Sequence, residues 1–196
     1  MLERPSRLRA AAAVRWLTSS ILVAISIGVA AQRVSASEPI SYSLKSWTTR
    51  DGLPGHLVRV FAQDRDGYLW VGTERGLARF DGFRFITWDL GGRLEGARLG
   101  VTALLAASDG SLWVSYSTVA RVDRIQGDNV TTFLPTDGLI QGTIREILED
   151  RDGQIWAGGR GGLSVFRANS WRRVALDSAL ERATVTTLFE DQRGDL

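Results

Sequence analysis

A seven-residue stretch, Asp66-Gly67-Tyr68-Leu69-Trp70-Val71-Gly72, returns twice as Asp109-Gly110-Ser111-Leu112-Trp113-Val114-Ser115 and Asp152-Gly153-Gln154-Ile155-Trp156-Ala157-Gly158. The three tryptophans lie 43 and 43 residues apart. Self-similarity at a period of about 40 to 50 residues marks propellers, solenoids or arrays, in which each unit buries its apolar face against its neighbours. A fourth copy opens at Gly194-Asp195-Leu196.

Within each unit the pattern predicts short strands. In the first, 58–63, 68–73, 77–80 and 84–87 are rich in β-branched and aromatic residues and are bounded by turn chemistry. The second unit gives 102–107, 112–116, 120–123 and 130–133, and the third 144–149, 155–158, 163–166 and 171–174. Residues 184–190 are expected to open a fourth unit. Asp66-Gly67 and Asp81-Gly82 suit two-residue type I′ hairpins, whose central residues take positive φ. On this reading Asp66, Asp109 and Asp152 have turn roles, while Glu149-Asp150 and Glu190-Asp191 are solvated strand ends. Helix should be rare, apart from a short turn expected at 178–182.

Four hairpin-linked antiparallel strands per 43-residue unit describe the blades of an all-β propeller. The expected organisation is a signal peptide at 1–36, a lead-in at 37–46, blade 1 at 47–88, blade 2 at 89–133, blade 3 at 134–176 and the truncated start of blade 4 at 177–196. Gly67, Trp70, Gly110, Trp113, Gly153 and Trp156 form the structural repeat. The tryptophans should fill the gaps between blades, a role favoured over a sugar-binding stack because they recur once per unit. Gly72, Ser115 and Gly158 leave room for close approach. Three units and a fraction fall short of the four to eight blades of closed rings, so the chain is expected to be the N-terminal piece of a longer protein, with exposed strand edges prone to aggregation when expressed alone.

The N-terminus places the chain in a compartment. Arg4, Arg7, Arg9 and Arg15 precede an apolar run from Trp16 to Ala31, and Val34-Ser35-Ala36 offers small residues for cleavage after Ala36. A retained membrane anchor is the alternative, because about 16 residues fall just short of a span. The chain is thus expected to be exported, to the periplasmic or extracellular side. Residues 1–36 also account for the formal net charge of +2, and the remainder is about −2. No basic patch remains to recommend nucleic acid.

One histidine and no cysteine exclude Ser-His-Asp and Cys-His catalysis and a multi-histidine metal site. Gly158-Gly159-Arg160-Gly161-Gly162 lacks the Gly-Lys-Ser/Thr ending of a phosphate loop. No catalytic residue, metal site or cofactor is therefore assigned. Ligand contacts should come from loops at one face, 51–57, 89–100 and 137–143, with His56, Glu74, Arg75 and Arg160 as candidate residues. Arginine forks suit anionic sugars or carboxylates, and ion pairing within the surface is the competing role.

Detail separates the propeller families. The WD40 pattern fails, because Trp88-Asp89 and Gly55-His56 do not recur, and the Asp-box pattern fails, because Arg65, Ser108 and Arg151 stand where its aspartate should. The run from Val60 through Asp64, Gly67, Leu69-Trp70-Val71-Gly72-Thr73 to Gly76-Leu77 and Phe80-Asp81, repeated from Ile147 to Phe166, closely resembles the two-component regulator propeller. Asp51-Gly52-Leu53 and Asp137-Gly138-Leu139, two periods apart, agree with it, and unit two departs most. The resemblance covers roughly 43–196. It implies the periplasmic sensor region of a receptor, with seven-bladed propellers, a β-sandwich, a downstream membrane helix and a histidine kinase, or in some members a diguanylate cyclase. The partners expected are an extracellular small-molecule or oligosaccharide ligand at the face loops and, for the full receptor, a second copy in a homodimer. A secreted hydrolase or lyase acting on polysaccharide, or a non-catalytic interaction scaffold, are the other readings.

Overall fold

A computed structural model describes residues 43–88, 99–175 and 183–196. The signal segment, the cleavage position after Ala36, the loop at 89–98 and the turn expected at 178–182 lie outside the described residues. Residues Lys45–Leu196 form one structural unit.

Among the described residues, twelve strands build three antiparallel four-stranded sheets, each ordered as in the sequence. The first holds β1 (Val58–Gln63), β2 (Leu69–Thr73), β3 (Gly76–Phe80) and β4 (Phe85–Trp88); the second holds β5 (Val101–Ala106), β6 (Leu112–Tyr116), β7 (Val122–Gln126) and β8 (Asn129–Phe133). The third holds β9 (Ile144–Glu149), β10 (Ile155–Gly159), β11 (Gly162–Arg167) and β12 (Ser170–Arg173). The fold is all-β, and the sheets stack as blades through their first strands, β1 against β5 and β5 against β9. Two 3-10 turns, Thr49–Asp51 and Pro135–Asp137, precede the first and third sheets.

Two apolar seams join the blades. Trp70, Leu77, Val60 and Ala62 of the first sheet meet Val101, Leu112, Val114 and Ile125 of the second. Trp113 and Val122 of the second meet Ile155, Ala157, Phe166 and Trp171 of the third. Trp70 is 6% and Trp113 1% exposed, so each ring faces the blade that follows it. Trp156 stands at the same position and is half-buried. A Cβ added to Gly72 would lie 2.6 Å from Val101 Cγ1 and 2.8 Å from Val60 Cγ1. Blades 1 and 2 are therefore as close there as a missing side chain permits.

The hairpin turns differ from the expected type I′. Gly67, Gly110 and Gly153 take positive φ, but Asp66, Asp109 and Asp152 do not. The Gly67 amide donates to Asp64 O at 3.1 Å, and the Asp64 amide to Tyr68 O at 3.0 Å. The loop therefore has three residues, ending in one left-handed glycine. Its carboxylate comes from Asp64: Oδ1 accepts from the amides of Asp66 (3.1 Å) and Tyr68 (2.9 Å), and Oδ2 accepts from Trp70 Nε1 at 2.7 Å. Asp150 does the same for Asp152, Gln154 and Trp156 Nε1, and Asp191 receives the amides of Arg193 and Asp195. Asp150 and Asp191 are thus the builders of their turns and not solvated strand ends. At Asp81-Gly82 the central pair is Gly82-Phe83, with positive φ at Gly82 alone, a type II′ arrangement.

Unit two lacks the turn aspartate. Ala107 stands in its place, and Trp113 Nε1 is buried without an acceptor. Asp109 instead accepts from Ser111 N and Oγ and from Arg124 Nη2. The third strand of this unit begins at Val122, two residues later than expected, because 117–121 is spent on a longer turn. Residues 184–190 do not form a regular strand. Thr184 makes a single bridge to Arg160, and Val185 N donates to Gly159 O at 3.1 Å. A first strand in the other blades gains its ladder from its hairpin partner, and among the described residues none is paired with 184–190 in that way.

Candidate functional site

Antiparallel order sorts the loops between two ends of the blades. The β1–β2 and β3–β4 turns lie at one end; the β2–β3 turns and the connections entering each sheet lie at the other. His56, Glu74, Arg75 and Arg160 all belong to this second, loop end.

The structure brings three of them together in blade 1. Glu74 Oε1 accepts from the His56 amide at 3.1 Å and Oε2 from the Leu57 amide at 2.9 Å, while Arg75 Nε lies 3.7 Å from Oε1. Desolvation opposes the charge, but the Leu57 and His56 amides and the Arg75 guanidinium outweigh it and hold the Glu74 carboxyl below its ordinary range. Glu74 thus ties the entering loop to the β2–β3 turn, and Gly55 packs against its carboxylate. The His56 and Arg75 side chains remain exposed.

Arg160 lies in a different sheet and takes the position of Glu74 instead of that of Arg75, since Thr73 pairs with Gly76 and Gly159 with Gly162. Its amide donates to Thr143 O at 3.0 Å, its carbonyl abuts Gly142, and its side chain is exposed. Beside this turn a groove of about 470 Å³ is lined by Gln141, Gly161, Gly162 and Arg173. Arg173 Nε donates to Leu139 O at 3.1 Å.

The Asp-Gly loops at this end are built for rigidity. Asp51 Oδ2 accepts from the Thr48 amide, and Asp137 Oδ2 from the Leu134 amide, both at 2.7 Å. Gly52 and Gly138 have φ of 98° and 97°, and a Cβ on either would strike the carbonyl of the outer strand, at Phe85 or Trp171. Leu139 and Ile140, which follow, are wholly buried. These loops form a fixed rim from which His56, Arg75 and Arg160 project.

Blade 2 contributes a buried polar cluster that the repeat pattern does not signal. Asp123 is fully buried and accepts from Tyr116 Oη (2.7 Å), Arg121 Nε and Nη2 (2.8 Å each) and Thr132 Oγ1 (2.8 Å). Burial, followed by the neighbouring Asp123 charge, pushes the Tyr116 phenol far up. The Tyr116 hydroxyl therefore stays a donor at all physiological pH. The equivalent positions in the other blades are Ala78 and Ser164, read from their pairing with Val71 and Ala157. The one hint in the sequence was an aspartate inside a predicted strand.

Among the described residues no group of three or more His, Asp or Glu side chains is placed to hold a metal ion. No helix among them is long and apolar enough to cross a membrane.

Residues 52–75 and 138–161 match the family model described as two component regulator propeller. Each match runs from a left-handed loop glycine, through the tryptophan hairpin, to the β2–β3 or β10–β11 turn. Among solved structures, the chain is similar to the extracellular domain of a B. thetaiotaomicron protein described as a one component system. The TM-score is 0.63 at 21% identity, covering 78% of this chain and 22% of the other. The extracellular domain of a second protein from the same organism, described as a hybrid two component system, gives 0.63 at 20% identity, with 79% and 22% covered. A streptogramin B lyase gives 0.50 at 16% identity, with 63% and 42% covered. The chain therefore spans about a fifth of the length of the extracellular domains it is similar to. No curated protein matches the sequence.

Proposed function

We propose that this chain, which carries two-component regulator propeller repeats, is part of the exported β-propeller sensor region of a signalling receptor. The observation that carries the reading is the pair of family matches falling on the two units with the complete Asp-to-Trp turn. Similarity of fold to extracellular domains of one- and two-component systems supports it. In this role an extracellular solute, a small molecule or oligosaccharide, binds at the loop end near His56, Arg75 and Arg160. A fixed rim suits such a task, because a preformed site loses less entropy on binding. The signal passes through a downstream membrane helix to an output module of histidine-kinase or cyclase type, within a homodimer of the full receptor. The chain itself carries no chemistry in this scheme.

The test uses cells carrying the intact gene and cells carrying it with Arg75→Ala and Arg160→Ala, grown on individual oligosaccharides. The transcriptional response is measured. A response to one sugar that the double variant loses is the expected result. A response that the variant keeps in full would remove the loop end as the ligand site. Bond cleavage of any of the same sugars by the purified protein would move the chain to the lyase or hydrolase class, which the lyase fold similarity keeps as the second reading.

A further inference from the structure

At the opposite, β1–β2 turn end, between blades 1 and 2, lies a cavity of about 230 Å³ lined by Arg65, Arg79, Trp70 and Trp88, with Leu112 and Ile125 from blade 2. Both arginines have repeat equivalents that are paired with carboxylates. Arg124 holds the place of Arg79, opposite the unit's tryptophan, and donates to Asp109 Oδ2 at 2.6 Å. Arg151 holds the place of Arg65 and donates to Glu190 Oε1 at 2.7 Å. Among the described residues neither the Arg65 nor the Arg79 guanidinium has a hydrogen-bond acceptor or an acidic partner.

The reasons lie in two substitutions. Glu149, at the end of β9, accepts from the Ser108 amide and hydroxyl of the preceding blade, and Glu190 does the same for Arg151. The corresponding residue of blade 2 is Ala106, opposite Leu112 as Glu149 is opposite Ile155. Arg65 is therefore left without this partner. In blade 2 the Ser111 hydroxyl and amide fix Asp109 Oδ1 and turn Oδ2 toward Arg124. In blade 1 that serine is Tyr68, whose ring lies 4.4 Å from the Arg79 guanidinium, and Asp66 does not reach the arginine. Trp70 and Trp88, at 5.8 and 5.7 Å, complete an aromatic surround, and Arg79 Nε is shut from solvent with no acceptor. Arg79 is half-buried and Arg65 exposed, and Arg124 Nε is likewise buried without an acceptor; what sets Arg79 apart is the missing carboxylate, for which the aromatic faces compensate only in part.

We propose that this cavity binds a small hydroxylated carboxylate, whose acid group supplies the partner that Arg65 and Arg79 lack. Arginine forks match a carboxylate in two parallel hydrogen bonds. Asp64, Asp66 and Asp128 also line the cavity; Asp64 is engaged by its turn amides and Trp70 Nε1, while Asp66 and Asp128 accept hydroxyl protons from the ligand and repel a multiply charged anion. Trp88 and Trp70 offer apolar faces to a ring. The volume, below the roughly 300–1,000 Å³ of drug-sized sites, limits the ligand to about one sugar unit. The site lies at the other end of the blades from the loop rim and goes beyond the sensor reading, which does not require it.

The experiment is calorimetric titration of the full chain with D-glucuronate, using D-glucose as the matched neutral probe. Saturable glucuronate binding, no glucose binding, and a weakening of about tenfold or more in Arg79→Gln are expected. Ala106→Glu, which restores the acid present at 149, should pair with Arg65, narrow the mouth and weaken binding likewise. Arg172→Ala, on the exposed outer strand of blade 3, should leave it unchanged. Absence of glucuronate binding, equal binding of glucose, or undiminished binding in Ala106→Glu would overturn the proposal. The last variant decides the matter even if Arg79→Gln fails to fold.

Discussion

Replacing Asp150 by alanine tests whether one carboxylate builds a whole hairpin. Its Oδ1 holds the amides of Asp152 and Gln154 at 3.0 and 2.8 Å, and its Oδ2 holds Trp156 Nε1 at 2.7 Å and Gln154 Nε2 at 3.2 Å. The Asp152 amide is exposed and the Gln154 side chain can swing its Nε2 to water, but the Gln154 backbone amide and the indole N–H are part-buried and fixed in place. A hydrogen bond to a charged group is worth roughly 1.5–3 kcal/mol. Two that water replaces poorly give an expected loss of about 3 kcal/mol, or roughly 6–12 °C in melting temperature for a chain of this size. Asp150→Asn keeps one acceptor oxygen and should lose about half as much. Thermal melts followed by tryptophan fluorescence and far-UV circular dichroism measure both variants. The natural comparison is blade 2, where Ala107 leaves Trp113 Nε1 unpaired, so Ala107→Asp should gain about 1 kcal/mol. A loss below about 1 kcal/mol in Asp150→Ala, or an asparagine variant that melts with the parent, would refute the assignment of the turn to this residue.

Two further outcomes follow from spacing and charge. Gly72→Ala places a methyl within 2.6–2.8 Å of Val101 and Val60 and should cost about 1–3 kcal/mol by overpacking, more than Gly67→Ala, which meets nothing within 4 Å and carries only the strain of its positive φ; denaturant melts rank the two. Asp81 is lowered by the Arg84 and Phe83 amides, Asp109 by Ser111 and Arg124 against its own desolvation, and Asp191 by the amides of Asp195 and Arg193. The stability these depressed groups give is complete above the ordinary aspartate value of 3.8 and lost as pH falls through their lower folded values. Melting temperature should hold from pH 7 to about 5 and drop below about 4; a steep fall already between pH 7 and 6 would contradict this.

The blades were legible because their signals recur. Gly67, Gly110 and Gly153 recur before the tryptophans, and the alternation of apolar strands with turn residues set the order of all three sheets. The turn carboxylate was not legible because Asp-Gly drew attention to Asp66 and its copies. The aspartate six residues before the tryptophan is broken in unit two by Ala107. Aligning Asp64, Asp150 and Asp191 without unit two would have exposed it. The cavity was hidden for a different reason: it depends on what Ala106 and Tyr68 fail to supply, and a missing partner leaves no motif. Asp123 gave only the hint of an aspartate inside a predicted strand, since nothing repeats it. Of the loop-end candidates, the hairpin register sets Arg160 level with Glu74 and not with Arg75.

The carboxylate that closes each turn across a seam belongs to a later stretch of chain: Glu149 follows Ser108 by 41 residues, and Glu190 follows Arg151 by 39. As the chain emerges from the ribosome, at roughly 5–20 residues per second, a finished hairpin waits several seconds before the acid that caps it has been made. The turns of blades 2 and 3 are therefore capped by residues that follow them in the chain. Where Ala106 interrupts the series, blade 1 gains no such cap, and the described residues of blades 1 and 2 meet in an apolar seam. That seam needs no carboxylate from a later stretch of chain, unlike the ion-locked seams that follow it.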